Sequence, residues 1–264
     1  MVAGAGAGCL GALLGLGGGV FLVPFLNVGL GLPLNVAAGV SLLTVIATSS
    51  VVSAGSSGKR LVNLRLGMLL QVAASTGGLV GGIVVAHLPP RLLYLMFALV
   101  TLAISIIMLS RLETRNVILD DSVTPGAFGG RYYEEESGRE VVYRVRRLPL
   151  ALVVSLAGGS VSGFLGIGGG ILQVPALNAW CGMPMRAAAA TSAVMIGVTA
   201  VASAPIYFAR GDVAVPLAAA AVLGVLVGSR LGVRFGARAR AKWLKLLMAA
   251  VLGFVSITYV VKAL

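Results

Sequence analysis

Residues 14–26 read LGLGGGVFLVPFL, and residues 165–177 read LGIGGGILQVPAL. Each stretch sits inside an apolar segment long enough to cross a bilayer. Each interrupts that segment with three consecutive glycines and, five residues after the last of them, a proline. In a helix interior glycine costs about 1 kcal/mol relative to alanine, and proline about 3. A chain that does this twice at the same spacing is breaking two helices at set positions.

The rest of the sequence puts these breaks in a membrane. The chain has 264 residues, of which 58% are hydrophobic and 11% charged. Charge-free runs cover Met1–Gly58, Leu66–Pro90, Leu92–Ser110, Leu148–Met185, Ala187–Ala209 and Val213–Ser229. A spanning helix needs about 20 such residues. One or two runs of this kind fit a buried core, but this many mark an all-α polytopic membrane protein. The opening MVAGAG carries no basic segment ahead of the apolar stretch, so no signal peptide is expected. Cys9 and Cys181 fit no metal-ligand spacing, and His87, beside Pro89, Pro90 and Arg91, reads as an interfacial residue. No metal and no cofactor is expected.

The net charge of +12 resolves into two parts. Arg111–Arg147 holds seven arginines and seven acids, while the remainder holds thirteen Lys/Arg and one acid, Asp212. The basic residues sit at helix ends, as topology signals do, rather than in a patch suited to nucleic acid. The membrane region is basic and almost free of carboxylates.

Shifting the sequence by 151 residues aligns its two halves without a gap from Gly8 to about Thr48. Gly15, Gly17, Gly18 and Gly19 fall on Gly166, Gly168, Gly169 and Gly170; Leu26-Asn27 falls on Leu177-Asn178; Ser41 falls on Ser192. The chain is therefore read as a first membrane repeat, 1–110, a polar insert, 111–147, and a second repeat, 148–264. Each repeat has four apolar segments, at about 3–28, 34–56, 66–87 and 91–110, then 150–179, 185–208, 213–233 and 242–262. Gly78 and Gly82, and Gly224, Gly228 and Gly232, have the small-residue spacing that lets helices approach closely in lipid. The insert is read as a small cytoplasmic excursion, with Ser137-Gly138 at the middle of a short hairpin.

Orientation follows from the basic loops. If all eight segments cross, the loops at 57–65 and 234–242 lie on opposite sides, yet both are basic, through Lys59, Arg60 and Arg65 and through Arg234, Arg238, Arg240 and Lys242. If the glycine-broken segment of each repeat dips in and returns, each repeat crosses three times and the second is inverted. Both basic loops are then cytoplasmic, as is the insert with Arg111 and Arg115. Only Arg91 and Lys262 remain as unpaired external positives. The fold expected is thus two inverted structural repeats, each a glycine-broken re-entrant helix plus three transmembrane helices. A full crossing with a kink at the glycines is the alternative.

Irregular backbone at membrane depth survives only where it is buried or lines a cavity. A helix restarting after three glycines presents free N–H groups and the positive end of its dipole. Two such ends meeting at the midplane make an anion site. The candidate substrate-binding residues are Gly17, Gly18, Gly19, Gly168, Gly169 and Gly170, with Asn27, Ser41, Gln173, Asn178, Thr191 and Ser192 as polar lining. Interhelical bonding is the competing role for the hydroxyls, and capping for the asparagines. Pro24 and Pro175 are placed near the first turn of the restarted helices, where a missing N–H costs little. No Asp or Glu lies within a crossing segment, which disfavours a carboxylate proton relay. No P-loop and no Ser–His pair is present, so no enzyme activity is expected.

At GLGGGVFLVPFL with its following GLP and AAGVSL, and at GIGGGILQVPAL with GMP and AAATSA, the sequence resembles the sulfite exporter TauE/SafE family of membrane permeases. The resemblance covers nearly the whole chain, the insert being the weak part. It implies transport of small sulfur-containing or organic anions, such as sulfite or sulfonates, across the bacterial inner membrane. The reading is a multi-pass secondary transporter, an exporter by its family, working by alternating access on a small anionic substrate. Its partners are that substrate and the lipid bilayer, with no nucleic acid and with a homo-oligomer left open. An anion channel and a non-transporting scaffold that docks a partner through the insert are the alternatives.

Overall fold

The computed structural model describes residues 1–56, 61–110, 116, 118, 124–134, 138–236 and 241–263. Lys59, Arg60, Arg111, Arg115, Ser137, Arg238 and Arg240, which enter the sequence argument, lie outside the described residues. The chain forms α1 (Val2–Leu14), α2 (Gly19–Pro24), α3 (Leu34–Ser56), α4 (Leu64–Val84), α5 (Pro90–Ser110), β1 (Gly130–Glu134), β2 (Arg139–Tyr143), α6 (Leu148–Leu165), α7 (Gly170–Ala179), α8 (Met185–Ala209), α9 (Val215–Gly236) and α10 (Ala241–Ala263). Seven of these, α3, α4, α5, α6, α8, α9 and α10, are long and apolar enough to cross a membrane. The protein is a mostly helical, multi-pass membrane protein.

Both glycine motifs break their helices. α1 ends on Gly15 and α6 on Gly166, each in the left-handed region, at φ 70° and 67°. Gly17 and Gly168 repeat that conformation two residues on. A side chain at these four positions would be strained, which is why glycine holds all of them. The chain then restarts at Gly19 and Gly170. Pro24 and Pro175 lie inside the restarted helices, each at the sixth residue, a turn later than the sequence reading placed them. There each removes an i to i−4 bond. The chain responds in the same way twice: Leu30 N–H reaches back five residues to the Phe25 carbonyl (3.1 Å), and Cys181 N–H to the Ala176 carbonyl (3.2 Å). In the first half this makes a π turn, Phe25–Gly29.

Glycines set which helices touch. A Cβ on Gly224, Gly228 or Gly232 would overlap the carbonyl oxygen of Met1, Ala5 or Cys9. A Cβ on Gly77 or Gly81 would overlap that of Leu156 or Ser160. Moving each partner by 151 residues turns the Ala5–Gly228 pair into Leu156–Gly77, and Cys9–Gly232 into Ser160–Gly81. Residue numbers rise together along both interfaces, so α1 runs parallel to α9 and α6 parallel to α4. The first helix of each broken segment therefore packs on the third apolar segment of the opposite half. Helix association in lipid has no hydrophobic drive and rests on such close van der Waals approach.

The long helices pair with their equivalents in opposite directions. Asn35, at the start of α3, donates to Asp212 just beyond the end of α8. Asn63, just beyond α3, donates its N–H to Thr191 near the start of α8 (3.0 Å). α3 and α8 are thus antiparallel. α5 and α10 are too: Ser105 Oγ donates to the Ala249 carbonyl (2.8 Å), and Ser256 Oγ to that of Ala98 (2.8 Å).

The insert forms an antiparallel hairpin, with Gly130 opposite Tyr143 and Glu134 opposite Arg139. Asn63 joins it to the membrane part. Its side chain caps α4 by accepting from Leu66 N–H (3.1 Å) and donates to the Phe128 carbonyl (2.7 Å) and the Tyr143 hydroxyl (3.2 Å). Burial pushes the Tyr143 phenol above its usual range, and the Asn63 hydrogen bond acts the other way. The phenol stays protonated across physiological pH, so this anchor does not titrate there.

The packing makes a paired prediction. Gly228→Ala puts a methyl into the Ala5 carbonyl, whereas a Cβ on Gly6 meets nothing within 4 Å. Gly228→Ala should destabilise the protein by about 1–3 kcal/mol and lower its melting temperature in detergent, while Gly6→Ala should not lower it and gains up to about 1 kcal/mol of helix propensity. Equal melting temperatures for the two variants would contradict this account of the α1–α9 interface.

Candidate functional site

The two breaks meet at the centre of the molecule. A Cβ on Gly19 would lie 2.9 Å from Ile167 Cα and 2.6 Å from Ser41 Oγ. A Cβ on Gly170 would lie 2.7 Å from the Gly15 carbonyl, 3.1 Å from Leu16 Cα and 3.1 Å from Ser192 Oγ. Gly17 and Gly168 both face Val45 and Ile196, near the middles of α3 and α8. The start of each short helix therefore abuts the backbone of the opposite break. Gly17, Gly19, Gly168 and Gly170 come together here with Ser41 and Ser192, whereas Gly18 lies against Ala7 and Gly8 of α1, and Gly169 against Gly158 of α6, beside Gln173.

The hydroxyls act on groups the breaks set free. Ser41 Oγ donates to the Gly166 carbonyl (2.6 Å), an acceptor with no helical partner beyond it. Thr44 donates to the Ser41 carbonyl (2.7 Å). Ser192, the equivalent of Ser41, instead donates to Gln173 Oε1 (3.3 Å). That bond orients the amide so that Nε2 lies 3.3 Å from where a Gly169 Cβ would sit. Gln173 is 1% exposed, and its Nε2 has no hydrogen-bond partner among the described residues. A buried amide donor without a partner costs about 1–3 kcal/mol. The first half holds Leu22 at the equivalent position.

The asparagines lie away from the breaks, toward the ends of the restarted segments. Asn27 Nδ2 donates to the Leu32 carbonyl (2.8 Å), and Asn178 Nδ2 to that of Met183 (2.9 Å), five residues on in each case. Their amide donors thus staple the exit turns. Lys262 Nζ reaches both the carbonyl and Oδ1 of Asn27 (2.8 Å each) and lies 5.5 Å from the centre of the Tyr94 ring. Lys262, an unpaired external positive by sequence, thus has two partner residues, Asn27 and Tyr94. Asn116, from the insert, donates to the carbonyls of Asn178 and Met183. Thr191 turns toward Asn63 rather than the breaks.

Some residues here escaped the sequence reading. Asn63 is the joint between α4, α8 and the hairpin; an Asn just before an apolar run is a recognisable helix start. Gln71 hydrogen-bonds Ser75 (2.7 Å) and Thr199 (3.1 Å) in an apolar cleft of about 480 Å³ between α4 and α8. A lone Gln within a spanning run was the available signal. Among the described residues there is one ion pair, Arg210 to Asp212 (3.3 Å), and no cluster of metal-ligating side chains. Among the described residues no charged side chain is a nearest neighbour of the break glycines, so the local electrostatics come from two helix starts and one amide.

Comparisons with known proteins point to a membrane transporter. The model of the family described as Sulfite exporter TauE/SafE matches residues 1–259. The chain is 26% identical over 253 residues to "Probable membrane transporter protein YunE" of Bacillus subtilis (strain 168), covering 93% of this chain and 90% of that one. It is 24% identical over 261 residues to "Probable membrane transporter protein MJ0441" of Methanocaldococcus jannaschii, covering 93% and 88%. No solved structure matches.

The hydrogen bonds predict how the two kinds of polar residue differ. Asn27→Ala and Asn178→Ala should each lower stability by about 1 kcal/mol, read as a lower denaturation midpoint, with the affinity for transported anion unchanged. A variant of normal stability and weakened affinity would return the asparagines to the ligand shell.

Proposed function

The chain belongs to the sulfite exporter TauE/SafE family, and from that premise we propose that it is a secondary transporter of small sulfur-containing or organic anions, exporting them across the inner membrane by alternating access. The observation that carries the proposal is the pairing of a 10-residue helix start, at Gly170, with the unpartnered, buried Gln173 amide. Both are hydrogen-bond donors, and the Gln173 amide nitrogen lies 3.3 Å from where a Cβ on Gly169 would sit, one residue before that helix start. An oxyanion there takes the free amides of the first turn and the Gln173 N–H together. Gly17, Gly18 and Gly19 offer the matching start from the other half. Ser41 and Ser192 hold the breaks in shape. Asn27, Asn178 and Thr191 fix the segments that carry them. Holding the anion with neutral donors avoids the desolvation cost of a buried charge.

Alternating access needs two halves that exchange roles. Support for inverted repeats comes from the antiparallel runs of α3 against α8 and of α5 against α10. Support for re-entrant broken segments comes from Arg146 N–H, just before α6, which donates to the Cys181 carbonyl, just after α7 (2.9 Å). The two ends of that segment lie together, as they do when a segment enters and leaves on one side. The starts of α2 and α7 are covered by the opposite break, so an anion reaches them when the halves move relative to each other. That requirement favours a carrier over an open pore.

Counterflow in proteoliposomes tests this. Vesicles loaded with unlabelled sulfite should transiently accumulate trace labelled sulfite. Gln173→Leu, which copies Leu22 of the first half, should slow this about tenfold or more, the loss of one hydrogen bond to a charged ligand. Gly169→Ala should do the same by placing a methyl beside the Gln173 amide. Current that does not saturate would show a channel instead. No accumulation with any loaded anion, in folded protein, would overturn the proposal.

A further inference from the structure

A second site lies away from the breaks, where the end of α3 meets the end of α9. These helices run parallel: Gly39 faces Asp212 and Gly55 faces Val233. Between them opens a cleft of about 680 Å³. Its walls are apolar, with Val51 and Ala54 from α3 and Val227 from α9, and its polar rim is Ser50, Arg230 and Arg234. Arg230 and Arg234 are four residues apart on one helix, which puts their side chains on the same face. Arg230 lies inside the spanning segment Val215–Phe235, five residues or about 7.5 Å from its end.

A guanidinium at that depth is expensive unless it is paired. Neither arginine has an ion-pair or hydrogen-bond partner among the described residues. The membrane repeats offer one carboxylate in all, Asp212, and it sits at the far end of α9. The positions 151 residues earlier are Leu79 and Ile83, both exposed on α4. The same two helix positions thus face outward with hydrocarbon in one repeat and with positive charge in the other. Ser50 donates to the Ile46 carbonyl (2.9 Å). Basic loops flank this end of the helices, which places it on the cytoplasmic side.

We propose that this cleft binds one anionic glycerophospholipid. The phosphate sits between Arg230 and Arg234, each able to form a two-point contact, and an acyl chain lies along Val227, Val51 and Ala54. The apolar walls select a lipid over a free anion, and the arginines select an anionic headgroup over a zwitterionic one. The lipid supplies the counter-charge that the chain lacks and fills the gap between α3 and α9.

Native mass spectrometry of the full chain in detergent tests this with three probes: phosphatidylglycerol, phosphatidylcholine of the same acyl length, and inorganic phosphate. One phosphatidylglycerol should be retained in preference to phosphatidylcholine, and millimolar phosphate should not displace it. Arg230→Gln with Arg234→Gln should weaken retention about 30-fold, and Arg91→Gln, at the opposite side, should not. Should the double variant fail to fold, the three-probe comparison on the wild type stands by itself. Equal retention of the two lipids, or displacement by inorganic phosphate, would overturn the proposal.

Discussion

Backbone polar groups released inside a bilayer must be satisfied within the protein, because lipid offers them nothing. The two glycine breaks release such groups, and the architecture is organised around containing them. Each break is pressed against the other, with Gly19 on Ile167 and Gly170 on Gly15 and Leu16. Ser41 takes up the freed Gly166 carbonyl. α3 and α8 close the sides through Val45 and Ile196. The three glycines of each run have separate reasons: the first holds a left-handed φ, the second lies against the backbone of α1 or α6, and the third meets the backbone of the opposite break. That last contact also ties the halves together at their centre, while α1 on α9 and α6 on α4 tie them at the periphery.

Symmetry in this molecule is close but broken where chemistry is concentrated. Ser41 and Ser192 are equivalent, yet one caps a carbonyl and the other holds the Gln173 amide. Leu22 and Gln173 are equivalent, yet only the second carries a polar group. Arg230 and Arg234 replace Leu79 and Ile83 on the outer surface. Where the sequence repeats at an offset of 151 residues, the second half differs from the first by a donor inside, Gln173, and two cations outside, Arg230 and Arg234.

Much of this was legible in the sequence. Triple glycine followed by proline predicted the breaks, and the 151-residue offset survives in space as the Ala5–Gly228 and Leu156–Gly77 contacts. Glycine spacing predicted close helix approach, but not which helix approaches which. In water an apolar stripe identifies the buried face; in lipid every face is apolar, so the α1–α9 and α4–α6 pairings left no comparable trace. The asparagines were ambiguous because one amide serves equally for a ligand or a turn, and only the Leu32 and Met183 bonds show the turn. Pro24 and Pro175 were placed a turn early, since the restart at Gly19 and Gly170 depends on the left-handed glycines before it. Lys262 looked unpaired because its partner, Asn27, is distant in sequence.

The central claim is that an anion is held by the backbone at these breaks. Selective glycine 15N labelling of the protein in nanodiscs would test it most directly, by following the amide signals during a sulfite titration. Saturable shifts are expected at Gly18, Gly19, Gly169 and Gly170, with peripheral glycines such as Gly6 and Gly228 still. Shifts confined to glycines outside the breaks, in protein that transports sulfite, would contradict it.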